Sequence, residues 1–206
     1  VKDKPRFQYR GLMVDCGRHF IPIPFLKRII DTMATTKLNV LHLHLSDSES
    51  FPLQSKKYPA LWNGGFSETE RYTQSQMRSL VNYALFRGVV VMPEFDTPSH
   101  SKGMCSGAPH GVCMRSCVKS NYPLRLGDET FQFLEGLWSE VTQPVDDITG
   151  TIFPFEMVHS GGDEVKHQCW DDDLQSAQWL KDHNMTSKDA YLYFVNSNAE
   201  MISQLG

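Results

Sequence analysis

Leu38-Asn-Val-Leu-His-Leu-His-Leu45 runs directly into Ser46-Asp47, and the reading of this stretch decides the fold. A short, mostly apolar run without Gly or Pro predicts a buried strand, with polar groups gathered at its C-terminal end. Upstream, Gly11-Leu-Met-Val-Asp-Cys16 reads as another short buried strand. Between the two, Pro22 and Pro24 open a helix whose Phe25, Leu26, Ile29, Ile30 and Met33 share one face. Downstream, a long connection passes Pro52, Pro59 and Gly64-Gly65. Thr73 and Gln76 then form a capping box for a second helix, striped by Met77, Leu80, Val81, Ala84 and Leu85 and stopped at Gly88.

The rhythm continues. Val89-Val-Val-Met-Pro93 predicts a third strand, and Asp128 caps a third helix carrying Phe131, Leu134, Leu137, Trp138 and Val141. Ile152-Phe-Pro-Phe-Glu-Met-Val158 predicts a fourth strand, followed by a helical region bearing Leu192, Val195, Ala199 and Ile202. Strand and helix alternate four times and no two strands are close enough for a hairpin. That order implies an α/β fold with a parallel sheet.

The 206 residues are 40% hydrophobic and 21% charged, with a net charge of −4, enough for one domain with a sizeable core. No basic run points to nucleic acid, and no apolar stretch approaches a membrane span. Val1 to Arg6 lacks the apolar segment of a signal peptide, so the chain is expected to begin in mid-protein or after processing. Three of the five cysteines crowd between Cys105 and Cys117, which suits a disulfide-tied loop in an oxidising compartment. Their spacing gives no zinc-like pairing. Asn184-Met185-Thr186 is a glycosylation sequon, and Cys16 reads as a buried free thiol.

Polar residues follow each predicted strand: Asp15 to His19, His42 to Asp47, Glu94 to His100, and His159 to Glu164. Loops converging at strand C-terminal ends are the pattern of a (β/α) barrel active face. In the last loop two glycines permit a tight turn before Asp163 and Glu164, whose side chains diverge and so take different roles. Glu164 is the candidate general acid, a role that needs its pKa raised by partial burial or by Asp163 nearby. His100 is placed to orient Glu164, and Asp47 to hold His100. Arg18 offers a fork of donors for hydroxyls or a carboxylate, its alternative being a solvated arginine. His42 reads as a structural hydrogen-bonding histidine, and Asp171-Asp172-Asp173 as a solvated run.

His159-Ser-Gly-Gly-Asp163-Glu164 resembles the His-x-Gly-Gly-Asp-Glu signature of the β-N-acetylhexosaminidases, glycoside hydrolase family 20. Arg10 to Asp15 with Arg18-His-Phe20, Asn39 to Asp47, and Met92 to His100 are similar to that family's first three strand motifs, in order. Cys169-Trp170 is similar to the animal lysosomal members. The resemblance implies a (β/α)8 TIM-type barrel, of which residues 1–206 supply about the first four β/α units. It also implies hydrolysis of terminal, non-reducing β-linked N-acetylhexosamine (GlcNAc or GalNAc) by a retaining, substrate-assisted mechanism. Glu164 is then the acid/base and Asp163 the holder of the acetamido group, Arg18 binds sugar hydroxyls, and Asp47 and His100 form a relay. The resemblance further implies disulfides Cys117–Cys169 and Cys105–Cys113, a lysosomal or secreted location, and dimerisation of the full-length protein. The substrate is an oligosaccharide or glycoconjugate, and no cofactor or metal is implied.

The chain departs from the family pattern at Leu43, commonly Trp, at Ser48, often Asp, and at Ser99, commonly Gly. Leu43 and Ser48 are expected near the sugar. Half a barrel leaves sheet edges and the inner face uncovered, so the chain is expected to be a fragment lacking the tyrosine and tryptophans that contact the acetamido group. Two further readings are a carbohydrate-binding remnant without catalysis, and a metal-dependent amide hydrolase using His42-Leu43-His44.

Overall fold

The computed structural model describes residues 3–114, 117, 123–144 and 150–205. Strands β1 (Gly11–Asp15), β2 (Val40–His44) and β3 (Val90–Glu94) pair in parallel in the order β1-β2-β3. Helices α1 (Ile23–Thr35) and α2 (Gln74–Leu85) make the two crossovers. The register aligns Met13 with His42 and Met92, and Asp15 with His44 and Glu94. Side chains alternate along a strand, so both rows lie on one face of the sheet. The opposite face carries Leu41, Leu43 and Val91, buried in one core with Leu26, Ile30 and Met33 of α1 and Met77, Leu80, Val81 and Ala84 of α2. Burying each of the Leu, Ile, Met and Val side chains among them contributes roughly 1.5–3 kcal/mol.

Local signals set the helix ends. Thr73 and Gln76 close the capping box of α2: the Thr73 hydroxyl accepts the Gln76 N–H, and the Gln76 side chain accepts the Thr73 N–H at 2.8 Å. Gly88, at φ +71°, then turns the chain into β3. Beyond β3 come α3 (Lys102–Cys105), α4 (Asp128–Thr142), α5 (Gln168–Asp172), α6 (Leu174–Asp182) and α7 (Ser187–Gln204). Phe133, Leu134, Leu137, Trp138 and Val141 of α4 are buried, with Trp138 against Phe95 at 4.8 Å between ring centroids. Disulfides join Cys105 to Cys113 and Cys117 to Cys169, and Cys16 is a buried free thiol.

Several expectations need correction. Residues 152–158 form no strand: the segment meets β3 through a single bridge between Glu94 and His159. Pro154 has no N–H to give to a ladder, and Ile152 and Phe153 turn into the core beside α4. The described residues therefore contain three strands, not four. β1 is not buried either: Gly11, Leu12 and Met13 are exposed along the sheet edge, Met13 by 54%. Gly127, not Asp128, is the cap of α4, and Asp128 sits in the first turn, where a negative charge suits the helix dipole. On α7 the buried residues are Ala190, Phe194 and Asn198, whereas Leu192 is exposed. Phe25 faces solvent on α1. Finally, Asp173 is not solvated: it caps α6 and holds Arg125 through both carboxylate oxygens at 2.9 and 3.0 Å.

Candidate active site

Ladder pairing delivers charged side chains to the C-terminal rim of the sheet. At the end of β1, Asp15 accepts the backbone N–H groups of Gly17 and Arg18 at 3.1 and 2.8 Å, shaping the turn. The Arg18 guanidinium then reaches Asp15 at 2.6 Å and Asp47 at 2.8 Å, with 43% of its side chain exposed. Arg18 is thus an ion-paired rim residue that stays partly exposed.

Asp47 is buried and forms the centre of the cluster. One carboxylate oxygen meets Arg18 and His44 Nε2 (2.9 Å), and the other faces His100 Nδ1 at 3.1 Å. Burial alone would raise the Asp47 pKa, but its bonds to His100, His44 and the Ser48 N–H outweigh that and hold it well below the usual range. His44 is also bonded through Nδ1 to Glu94 Oε2 at 2.8 Å. Burial opposes its charged form, yet the bonds to Asp47 and Glu94 raise its pKa to about 10. Glu94, pulled towards protonation by burial, is held at about 2 by His42 and His44. His42 Nε2 lies 2.6 Å from Glu94 Oε2, the structural hydrogen bond its position in a strand suggested.

The loop carrying the two acids is held from both sides. Gly161, at φ +68°, leaves no room for a side chain: a Cβ there would lie 1.8 Å from Asp96 Oδ1. The Gly162 N–H donates to that same oxygen at 3.0 Å, and the Tyr191 hydroxyl of α7 donates to the Gly162 carbonyl at 2.8 Å. Burial raises the Asp96 pKa to about 7, against the lowering by the Gly162 N–H and His100. The loop brings Glu164 Oε2 to 3.2 Å from His100 Nε2, and Asp163 Oδ1 to 4.0 Å from the same nitrogen. Asp47, His100 and Glu164 therefore form a continuous line, joined by a hydrogen bond from His100 to Asp47 and an ion-pair contact from His100 to Glu164. Both terminal acids are open to solvent, Asp163 by 72% and Glu164 by 66%, so the partial burial expected for Glu164 is not supplied by the described residues.

The structure thus gathers Arg18, Asp47, His100, Asp163 and Glu164 on one rim. Sequence reasoning gave Glu94, Asp96, Asp15 and Tyr191 no role and considered His44 only as a metal ligand. Glu94, Asp96, Asp15 and His44 lay in the polar clusters after the strands, a usable signal; Tyr191 on α7 gave none. Leu43 is fully buried on the face opposite His42 and His44, so it does not lie near the rim as expected. Ser48 is half-buried beside Asp47 and donates its backbone N–H to it. The Ser99 hydroxyl reaches the Glu164 carbonyl at 3.5 Å. Each histidine of His42-Leu43-His44 is paired with a carboxylate, His42 with Glu94 and His44 with both Asp47 and Glu94. Asn184 is exposed in the turn between α6 and α7, and its Thr186 caps α7.

Residues 7–206 match the glycosyl hydrolase family 20 catalytic domain. The chain belongs to that family. Among curated family relatives, β-hexosaminidase 3 of Arabidopsis thaliana is 44% identical over 95% of this chain and 35% of its own length. β-Hexosaminidase subunit beta of Sus scrofa is 36% identical over 100% of this chain and 39% of its own length. The chain therefore spans little more than a third of these relatives. Solved family 20 structures agree in fold. A β-N-acetylhexosaminidase superposes with a TM-score of 0.84 at 29% identity, covering 99% of this chain and 46% of the other. The Vibrio harveyi exo-β-N-acetylglucosaminidase, crystallised with N-acetylglucosamine, gives 0.85 at 26% identity, covering 99% of this chain and 35% of the other.

Proposed function

We propose that this chain supplies the acid/base side of a retaining β-N-acetylhexosaminidase acting on terminal β-linked GlcNAc or GalNAc of oligosaccharides or glycoconjugates. The observation that carries this reading is the line from Asp47 through His100 to Glu164, with contacts of 3.1 and 3.2 Å. Glu164 protonates the glycosidic oxygen as the bond breaks, and the acetamido oxygen of the substrate attacks the anomeric carbon to form a cyclic oxazolinium. Glu164 then takes a proton from the water that opens this ring, returning the anomeric configuration to its start. Asp163 holds the acetamido N–H and offsets the developing positive charge. Asp47 fixes the His100 ring and stabilises its charged form, which in turn positions the Glu164 carboxyl. Arg18, already turned to the rim by Asp15 and Asp47, presents its exposed part to sugar hydroxyls.

The inner sheet face with Met13, His42 and Met92 suits the interior of a (β/α)8 barrel that further strand–helix units complete. Similarity to animal hexosaminidase subunits and two disulfides support a lysosomal or secreted location, with Asn184 as a glycan acceptor and a dimer of the full-length protein. The test compares p-nitrophenyl β-N-acetylglucosaminide with the analogue bearing a free amine. Hydrolysis of the first alone by the full-length protein is expected, and equal rates on both would overturn the substrate-assisted mechanism. A binding-only reading draws on the exposure of Asp163 and Glu164. It requires sugar binding with no turnover in the same assay.

A further inference from the structure

We propose that His42, Glu94 and His159 form a binding site for one divalent cation of the zinc class, apart from the line of residues assigned to hydrolysis. The three side chains come from β2, from the end of β3 and from the segment bridged to β3, so the tertiary fold, not a local motif, assembles them. One donor atom from each lies within 4.8 Å of the others. His42 Nε2 is 2.6 Å from Glu94 Oε2, and His159 Nδ1 is 3.0 Å from Glu94 Oε1. The two imidazole rings face each other at 4.9 Å between centroids. A tetrahedral ion with bonds of about 2.0–2.1 Å sets its donors roughly 3.3 Å apart, within side-chain adjustment of this arrangement.

The donor set selects the ion. Two imidazoles and one carboxylate suit zinc, or cobalt and nickel as stand-ins, whereas magnesium and calcium prefer oxygen donors. Three protein ligands leave a fourth position for water, and His159, half exposed, lies on the solvent side where an ion would enter. An outer ring is already in place: His44 Nδ1 contacts Glu94 and orients its carboxylate, and Asp47 in turn holds His44. His159 Nδ1 accepts the Gly161 N–H at 3.1 Å and lies 3.0 Å from Glu94 Oε1, so an ion bound at this nitrogen displaces the Gly161 bond and takes over the contact with Glu94. The competing account is that protons alone hold the three groups together.

Isothermal titration of zinc chloride into the metal-stripped chain separates the two. One equivalent binding in the micromolar range is expected, with no heat from magnesium chloride. His159→Ala and His42→Gln are each expected to weaken that site at least about tenfold. Replacing the exposed His110 and His183 with alanine is expected to leave it unchanged. Cobalt provides a second readout: the intense visible bands of a tetrahedral site are expected in the wild type and absent in His159→Ala. Because His159 is half exposed, this variant is expected to retain its thermal unfolding transition. Absence of zinc binding up to about 1 mM, some 4 kcal/mol of affinity, overturns the proposal. So does zinc binding that survives both variants but is lost with His110 and His183. None of these readouts involves hydrolysis, so failure here leaves the proposed reaction untouched.

Discussion

The rim of β2 and β3 and the loop of residues 159–164 carry similar residue types, yet their states differ. His44, Asp47 and Glu94 are buried and mutually bonded, whereas Asp163 and Glu164 stand in solvent. Pairing explains the difference. β2 has a strand on either side, so its backbone is fixed and its side chains meet partners at set spacings. The loop leaves β3 after one bridge and is placed by scattered polar contacts, among them those of Asp96, Thr97, Tyr191 and the His100 ring. Regular pairing makes a rigid base for a charge network. A loop held at a few points can present its acids outward to a ligand.

The sharpest way to break this comparison is to remove charge from the loop alone. Glu164→Gln is expected to lower turnover of a chromogenic N-acetylglucosaminide by the full-length protein about 10²–10⁴-fold, with the unfolding midpoint nearly unchanged. A variant keeping wild-type turnover would remove Glu164 from the chemistry. Leu43→Ala, behind the buried rim, should do the reverse. Its side chain is fully buried, so urea unfolding is expected to show a loss of about 2–5 kcal/mol. The same measurement on exposed Leu192→Ala should change little.

Gly161→Ala tests the junction between the two regions. The added methyl collides with Asp96 at a backbone angle that disfavours side chains, a cost of about 1–3 kcal/mol or a displaced loop. Chemical denaturation together with the KM of the full-length protein would register either outcome. A destabilisation near zero with normal KM would mean that Asp96 does not clamp the loop.

A last expected effect concerns pH. Glu94, with a folded pKa lowered from 4.5 to about 2, stabilises the fold above the unfolded value and loses that contribution as pH falls towards 2. His44, raised from 6.5 to about 10, contributes fully below 6.5 and loses its contribution as pH rises towards 10. Both contributions are therefore intact between about pH 4.5 and 6.5. Asp96 acts differently: raised from 3.8 to about 7, it keeps its proton in the fold after the unfolded chain has lost it, so stability drains away over that interval. Asp96→Asn, which preserves an acceptor for Gly162, should remove that slope. Its melting temperature relative to wild type is expected to rise from pH 4 to pH 7, and parallel profiles would contradict the shift.

Some features were written locally and survive in the structure. The apolar runs at Val40–His44 and Val90–Glu94, the helical stripes of α1, α2 and α4 apart from the exposed Phe25 and Leu85, and the Thr73–Gln76 box depend on near neighbours and on which face is apolar. The cluster of His100, Asp163 and Glu164 was legible because each followed a predicted strand. Other features required the folded chain. Residues 152–158 look like a strand because they are apolar, but a strand needs hydrogen-bonding partners along its length, and Pro154 and the turn into the core deny them. Asp173 looks like part of a solvated run until Arg125, 48 residues earlier, arrives beside it. Composition and periodicity therefore determined the sheet, most helices and the residue types of the rim. Tertiary structure alone decided which histidine meets which carboxylate, because those distances depend on strand register and on loops from distant parts of the chain.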